Sequence, residues 1–130
     1  MPFEDQYIGE AIPDPNVREG ERTYAMFIHL TLVIASILFP VIPALILWKI
    51  KQDESTFIDD HGREAVNFQI SLLLYMIAGT LLSLVCIGIP LIIGVYVLGL
   101  VGMILGASRA YQGCYFRYPR CIRLLKVPTR

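Results

Sequence analysis

No acidic residue follows Glu64. All eleven Asp and Glu lie between Glu4 and Glu64, and beyond that point the only formal charges are Arg109, Arg117, Arg120, Arg123, Lys126 and Arg130. A net charge of zero therefore hides a chain divided by sign, which is a topology signal before it is a partner signal. Cysteine is scarce: Cys86, Cys114 and Cys121 form no CxxC pair, which excludes a zinc motif and a disulfide framework. Cys86, inside an apolar run, reads as a small buried residue. Cys114 and Cys121, flanking the basic tail, read as free structural thiols, with lipidation or metal binding as the alternative. There is no nucleophile with a paired base, no phosphate-cradling glycine loop and no redox motif, so an enzyme is not expected, and neither a catalytic residue nor a cofactor is assigned. Met1 to Gly20 is acidic and contains Pro13-Asp14-Pro15, so it does not read as a signal peptide.

What the chain does have is long apolar runs. Of 130 residues, 55% are hydrophobic, too many for a soluble domain of this size. Residues 1–22 read as a polar N-terminal tail, 23–112 as a transmembrane helical domain and 113–130 as a basic juxtamembrane C-terminal tail. The first apolar run, Thr23 to Trp48, contains Pro40 and Pro43. It reads as a helix over Thr23–Phe39, a proline break, and a short returning helix over Ala44–Ile50 that is spanning or re-entrant. A hairpin puts Arg18 and Arg22 on the same, cytoplasmic, side as Lys49 and Lys51, as the positive-inside rule asks. The alternative is one kinked span with the N-terminus outside. Gln52 to Gly62 reads as a polar loop, with acidic residues placed to cap a helix start. A third helix is expected from about Arg63 to Cys86. Between Phe68 and Ile87 it carries eleven Leu, Ile, Phe or Val residues, which favour insertion by roughly 4 kcal/mol. Ile87-Gly88-Ile89-Pro90 is an uncharged turn, and Leu91 to about Tyr111 a fourth helix. Gly99, Gly102 and Gly106 lie on roughly one face of that helix and permit close packing. The expected fold class is all-α: a polytopic bundle of four apolar helices in the inner membrane, with both termini cytoplasmic.

One stretch connects loop and membrane, Asp59-Asp60-His61-Gly62-Arg63-Glu64-Ala65-Val66-Asn67-Phe68-Gln69-Ile70-Ser71. His61, Glu64, Asn67 and Ser71 recur at spacings of three and four and share one stripe of a helix. With the hairpin topology, His29 lies at a similar depth on the first helix. Three readings of this polar cluster stand side by side: a hydrogen-bonded network clamping helices one and three, a path for protons or a small solute, and metal binding through the His61-x-x-Glu64 step, a spacing too common to assign a metal by itself. Trp48, Lys49, Arg109, Arg117, Tyr118, Arg120 and Arg123 read as anchors at the lipid headgroups. Lipid phosphates account for the basic segment, so nucleic acid is not expected as a partner.

Trp48-Lys49, Asp53-Glu54-Ser55, the string from His61 to Ser71, Ile87-Gly88-Ile89-Pro90-Leu91 and Tyr115-Phe116-Arg117-Tyr118-Pro119 together resemble the bacterial membrane proteins of domain-of-unknown-function family 4870, which is similar to the Tic twenty-like proteins of the chloroplast import translocon. The resemblance runs from about Tyr24 to Leu125 and implies a small four-helix membrane domain. The expected role is an accessory or scaffold subunit that associates with membrane lipid and with other membrane proteins or itself. A channel or transport component built on the polar cluster is the alternative.

Overall fold

The computed structural model describes residues 9–37 and 39–125. It contains four helices, α1 (Glu19–Ile37), α2 (Ile42–Lys51), α3 (Thr56–Leu82) and α4 (Gly88–Tyr111), and two short strands, β1 (Ala11–Pro13) and β2 (Cys114–Phe116). The chain reverses between α1 and α2 at Pro40–Val41, where Val41 takes a left-handed φ of 73°. The return brings Tyr24 Oη within 2.6 Å of the Leu47 carbonyl, to which it donates, and sets Lys51 over the Tyr24 ring. The proline break therefore acts as a turn, with Pro43 in the first turn of α2, where its missing N–H costs nothing.

α3 starts at Thr56, seven residues earlier than the sequence suggests. Ser55 caps it, its Oγ accepting from the Ile58 N–H, and Asp59 sits in the first turn, where the helix dipole favours a negative charge. Gly62 lies inside this helix, where a Cβ would collide with the Trp48 side chain, so glycine lets α2 pack closely on α3. The loop expected over Gln52 to Gly62 is thus reduced to a short connection. A single 3₁₀ turn, Ser83–Val85, and Cys86 at φ 63° lead into α4. That turn projects outward, so Cys86 is exposed and not buried as its apolar surroundings suggest.

Both ends of the described chain fold onto the bundle. β1 pairs antiparallel with β2, Ala11 opposite Phe116 and Pro13 opposite Cys114. The Gly9 N–H donates to the Arg117 carbonyl at 2.9 Å and continues the pairing. Periodicity gave no hint of this ribbon, because three-residue strands are too short to show one.

The core is continuous across α1, α2 and the first part of α3 (Ile28, Trp48, Ile58, Val66) and across α3, α4 and the segment after β2 (Phe68, Val95, Phe116, Tyr118). Outside it, α3 over Thr56–Val85 and α4 over Gly88–Tyr111 are each long and apolar enough to cross a bilayer. Only 28% of the most apolar window of each is buried, so neither resembles the core helix of a soluble protein.

Candidate functional site

The polar stripe of α3 faces inward. Asp60, His61, Glu64, Asn67 and Ser71 are all buried, and His29 of α1 joins them at 2% exposure. One face of α3 can carry them all because steps of three and four stay close to one helical turn.

The two histidines form a relay. His61 Nε2 lies 2.9 Å from the Cys114 carbonyl, His29 Nε2 lies 2.9 Å from His61 Nδ1, and Tyr118 Oη lies 2.8 Å from His29 Nδ1. The carbonyl can only accept, which fixes the direction of the series. His61 donates from Nε2 to that carbonyl and accepts at Nδ1. His29 then donates from Nε2 and accepts at Nδ1 from the Tyr118 hydroxyl. One proton per ring satisfies every contact. Phe57 lies against the His61 ring at 4.5 Å between centroids, and Phe68 stacks on Tyr118 at 3.9 Å and 6°.

The remaining polar residues of α3 hold the segment that follows β2. Asp60 takes both guanidinium nitrogens of Arg117 at 2.6 and 2.7 Å, with both side chains 5% exposed. Glu64 Oε1 accepts from the Tyr118 N–H at 2.6 Å and from Arg123 Nη2 at 3.0 Å. Asn67 Oδ1 accepts from the N–H groups of Leu124 and Leu125, while its Nδ2 donates to the Leu125 carbonyl. Ser71 Oγ accepts from the Ile122 N–H at 2.7 Å and donates to the Asn67 carbonyl. One turn further, the Tyr75 hydroxyl donates to the Arg120 carbonyl. Taken in order, these contacts trace a loop. From Cys114 to Arg120 the chain climbs alongside α3 from His61 to Tyr75. Arg120, at φ 56°, turns it, and it descends to meet Asn67 at Leu125. Irregular backbone beside an apolar bundle needs such partners, since each unpaired polar group costs about 1–3 kcal/mol.

Gly102 and Gly106 make room for this loop. A Cβ on Gly106 would collide with the Tyr118 hydroxyl and crowd His29 Nδ1, and one on Gly102 would collide with the Phe68 ring. Gly99 meets Leu72. The small-residue face of α4 is thus turned inward, against α3, His29 and Tyr118.

The headgroup-anchor expectation does not hold for Trp48, Arg117 and Tyr118, which are 3%, 4% and 1% exposed. Each has an interior partner that outcompetes solvent or lipid: Asp59 for the Trp48 indole N–H, Asp60 for Arg117, and Glu64 and His29 for Tyr118. Arg123 is drawn to Glu64. Lys49 and Arg120 are exposed and Arg109 is half-buried. Asp60 belongs to the site, although its place before Arg63 suggests only a helix-start residue. Its signal was present, because Asp60, Glu64, Asn67 and Ser71 continue the same alternation of four and three. Thr31 and Gln69, paired at 3.2 Å, carried no such pattern.

Outside the apolar helices, burial raises the Tyr118 phenol well above its ordinary range, and the neighbouring Glu64 charge adds to the shift. Burial likewise pushes Tyr115 up to about 12 and Cys121 up to about 11. These groups stay protonated at neutral pH, as their hydrogen bonds require. Every nitrogen of His29 and His61 is already engaged, so a metal ion at either ring would have to break the relay.

Residues 20–125 match the family model of the magnetosome magnetite crystal formation proteins, MamF/MmsF. The chain belongs to that family. The match does not confirm the domain-of-unknown-function family 4870 or Tic twenty-like naming that the motifs suggest. It ends at Leu125, the last residue that Asn67 holds, so the MamF/MmsF unit includes the returning loop as well as the four helices. Family membership and the two apolar helices together support a membrane protein. No curated protein and no solved structure matches the chain.

Proposed function

We propose that this protein is an accessory component of the magnetosome membrane that takes part in magnetite crystal formation as a rigid, lipid-embedded scaffold. The observation that carries the reading is the division of the molecule. Its buried polar groups are spent on fixing the C-terminal loop, while the outer faces of α4 and of the second half of α3 are apolar and suited to lipid and to other membrane proteins. The inward turn of Gly99, Gly102 and Gly106 favours the outer aliphatic faces for association, rather than the glycine stripe. Engagement of every His29 and His61 nitrogen favours a clamp over a conducting path or a catalytic site, so we read the protein as a non-enzyme. The hairpin of α1 and α2, with Lys49 and Lys51 returned to the side of Arg18 and Arg22, is consistent with both ends lying on the cytoplasmic face.

The test is complementation in a magnetosome-forming host whose copy has been deleted. The wild-type chain should restore the size of magnetite crystals seen by electron microscopy. Asp60→Ala, which frees the loop, should not restore it, even where membrane fractions show that the protein accumulates. Full restoration by a stably accumulated Asp60→Ala protein would remove the clamp from the account. Co-purification in mild detergent should recover a defined membrane partner or a homo-oligomer, and a clean monomer in several detergents would count against the scaffold reading.

A further inference from the structure

Between α1, α3 and α4 lies an apolar cleft of about 710 Å³, within the size range of ligand pockets. Leu72, Val95 and Met103 form buried parts of its wall, while Val33, Val97 and Leu100 are exposed and open it to the side. Two side chains in the lining carry polar atoms, Tyr96, which is 63% exposed, and Gln69, which is 3% exposed. Gln69 is the unusual one. The Thr31 hydroxyl donates to the Ile28 carbonyl, so it can only accept from Gln69, and this turns the amide Nε2 toward it. Gln69 Oε1 is left buried with no donor among the described residues. An orphaned acceptor of this kind is uncommon and costly.

Its height in the bundle bears on what could supply the donor. Along α4 the exposed aliphatic residues run from Ile89 to Leu105, about 24 Å of helix and close to the thickness of a hydrocarbon core. Phe68, next to Gln69, packs on Gly102, one turn inside Leu105. Along α4, Gln69 therefore lies about one turn inside the end of the exposed aliphatic run, within reach of a hydroxyl on a lipid's glycerol. The aliphatic faces that a second copy could offer, such as Ile42, Ile46 and Ile50 of α2, carry no hydrogen-bond donor in their side chains.

We propose that this cleft binds a membrane lipid with a free glycerol hydroxyl, its acyl chain lying along the cleft and its hydroxyl donating to Gln69 Oε1. The inference rests on the membrane-embedded reading above.

The test uses the full chain in mild detergent with two probes of equal chain length, 1-monooleoylglycerol and methyl oleate, and native mass spectrometry as readout. Wild type should retain one monooleoylglycerol, at least about threefold more populated than the methyl oleate adduct, the scale of one net hydrogen bond. Gln69→Leu should abolish that preference. Val97→Trp, on the exposed wall, should remove both adducts while helicity by circular dichroism is unchanged. Equal retention of the two probes by wild type, or an adduct that survives Val97→Trp, would overturn the proposal. A dimer that Val97→Trp dissociates, with no lipid adduct, would assign the cleft to a second copy and overturn it too. Alkaline carbonate extraction separates the two levels of failure. Release of the protein from membranes would sink the embedded reading and the lipid site with it, whereas retention without a selective adduct would sink the lipid site alone.

Discussion

Between Thr56 and Leu72, α3 buries almost every side chain, including two carboxylates, a histidine, two amides and a serine. Between Leu73 and Leu82 the same helix buries only Gly79 and turns Leu74, Ile77, Leu81 and Leu82 outward. The two halves share helix geometry and differ in what surrounds them. The first half is wrapped by α1, α2 and the returning loop, and its polar groups supply the hydrogen bonds that irregular backbone needs. The second half packs mainly on α4, keeps one tie to the loop through Tyr75 and Arg120, and turns a surface suited to acyl chains outward. The lesson is that a polar stripe on an apolar helix need not line a pore. Here it is the template on which a non-helical segment is built.

That contrast can be broken most severely at Asp60. Asp60→Ala strands the Arg117 guanidinium in the interior and should cost about 3–5 kcal/mol, measured by denaturant unfolding in detergent. The double variant Asp60→Leu/Arg117→Met should recover most of that loss. Asn67→Leu removes the partner of two N–H groups and one carbonyl in the loop. It should cost about 2 kcal/mol or more and open the chain near Leu124 to limited proteolysis. Gly106→Ala forces Tyr118 off His29 and should cost about 1–3 kcal/mol by overpacking. Gly94→Ala, whose new methyl meets nothing within 4 Å, should be neutral or stabilising. In the second half of α3, Leu81→Ala, at a side chain 66% exposed, should stay within about 0.5 kcal/mol in the same assay.

The smallest effect is a titration. Folded Tyr115 and Tyr118 hold their protons above the range of a free phenol, so their contribution to stability is complete below the unfolded value. It declines as pH rises past that value and is gone once pH passes the folded one, about 12 for Tyr115. Phenolate absorbance from Tyr115 and Tyr118 should therefore develop only above the range of a free phenol, with unfolding accompanying it. Cys121, raised to about 11, should react with a maleimide far more slowly than exposed Cys86.

The apolar parts of this fold were the legible parts. Long runs and prolines marked all four helices and the reversal at Pro40–Val41, because lipid-scale hydrophobicity leaves a strong trace in sequence. The polar stripe was equally visible as spacing, from His61 to Ser71. Its partners were not. The contacts from Asp60 to Arg117 and from Asn67 to Leu125 span more than fifty residues, and most are made to backbone, which has no sequence signature. The same blindness explains why Trp48, Arg117 and Tyr118 read as interface anchors. Aromatic and basic residues at a helix end look alike whether they meet lipid or a buried carboxylate.

The central claim, that α3 holds the C-terminal loop against its polar stripe, has a direct test in the chain itself. Ser71 Oγ lies 3.6 Å from Cys121 Sγ. In a Ser71→Cys protein with Cys86 and Cys114 changed to Ser, mild oxidation in membranes should form an intramolecular disulfide between positions 71 and 121, seen as a crosslinked peptide by mass spectrometry. Free thiols at both positions, or crosslinks only between separate molecules, would contradict the account.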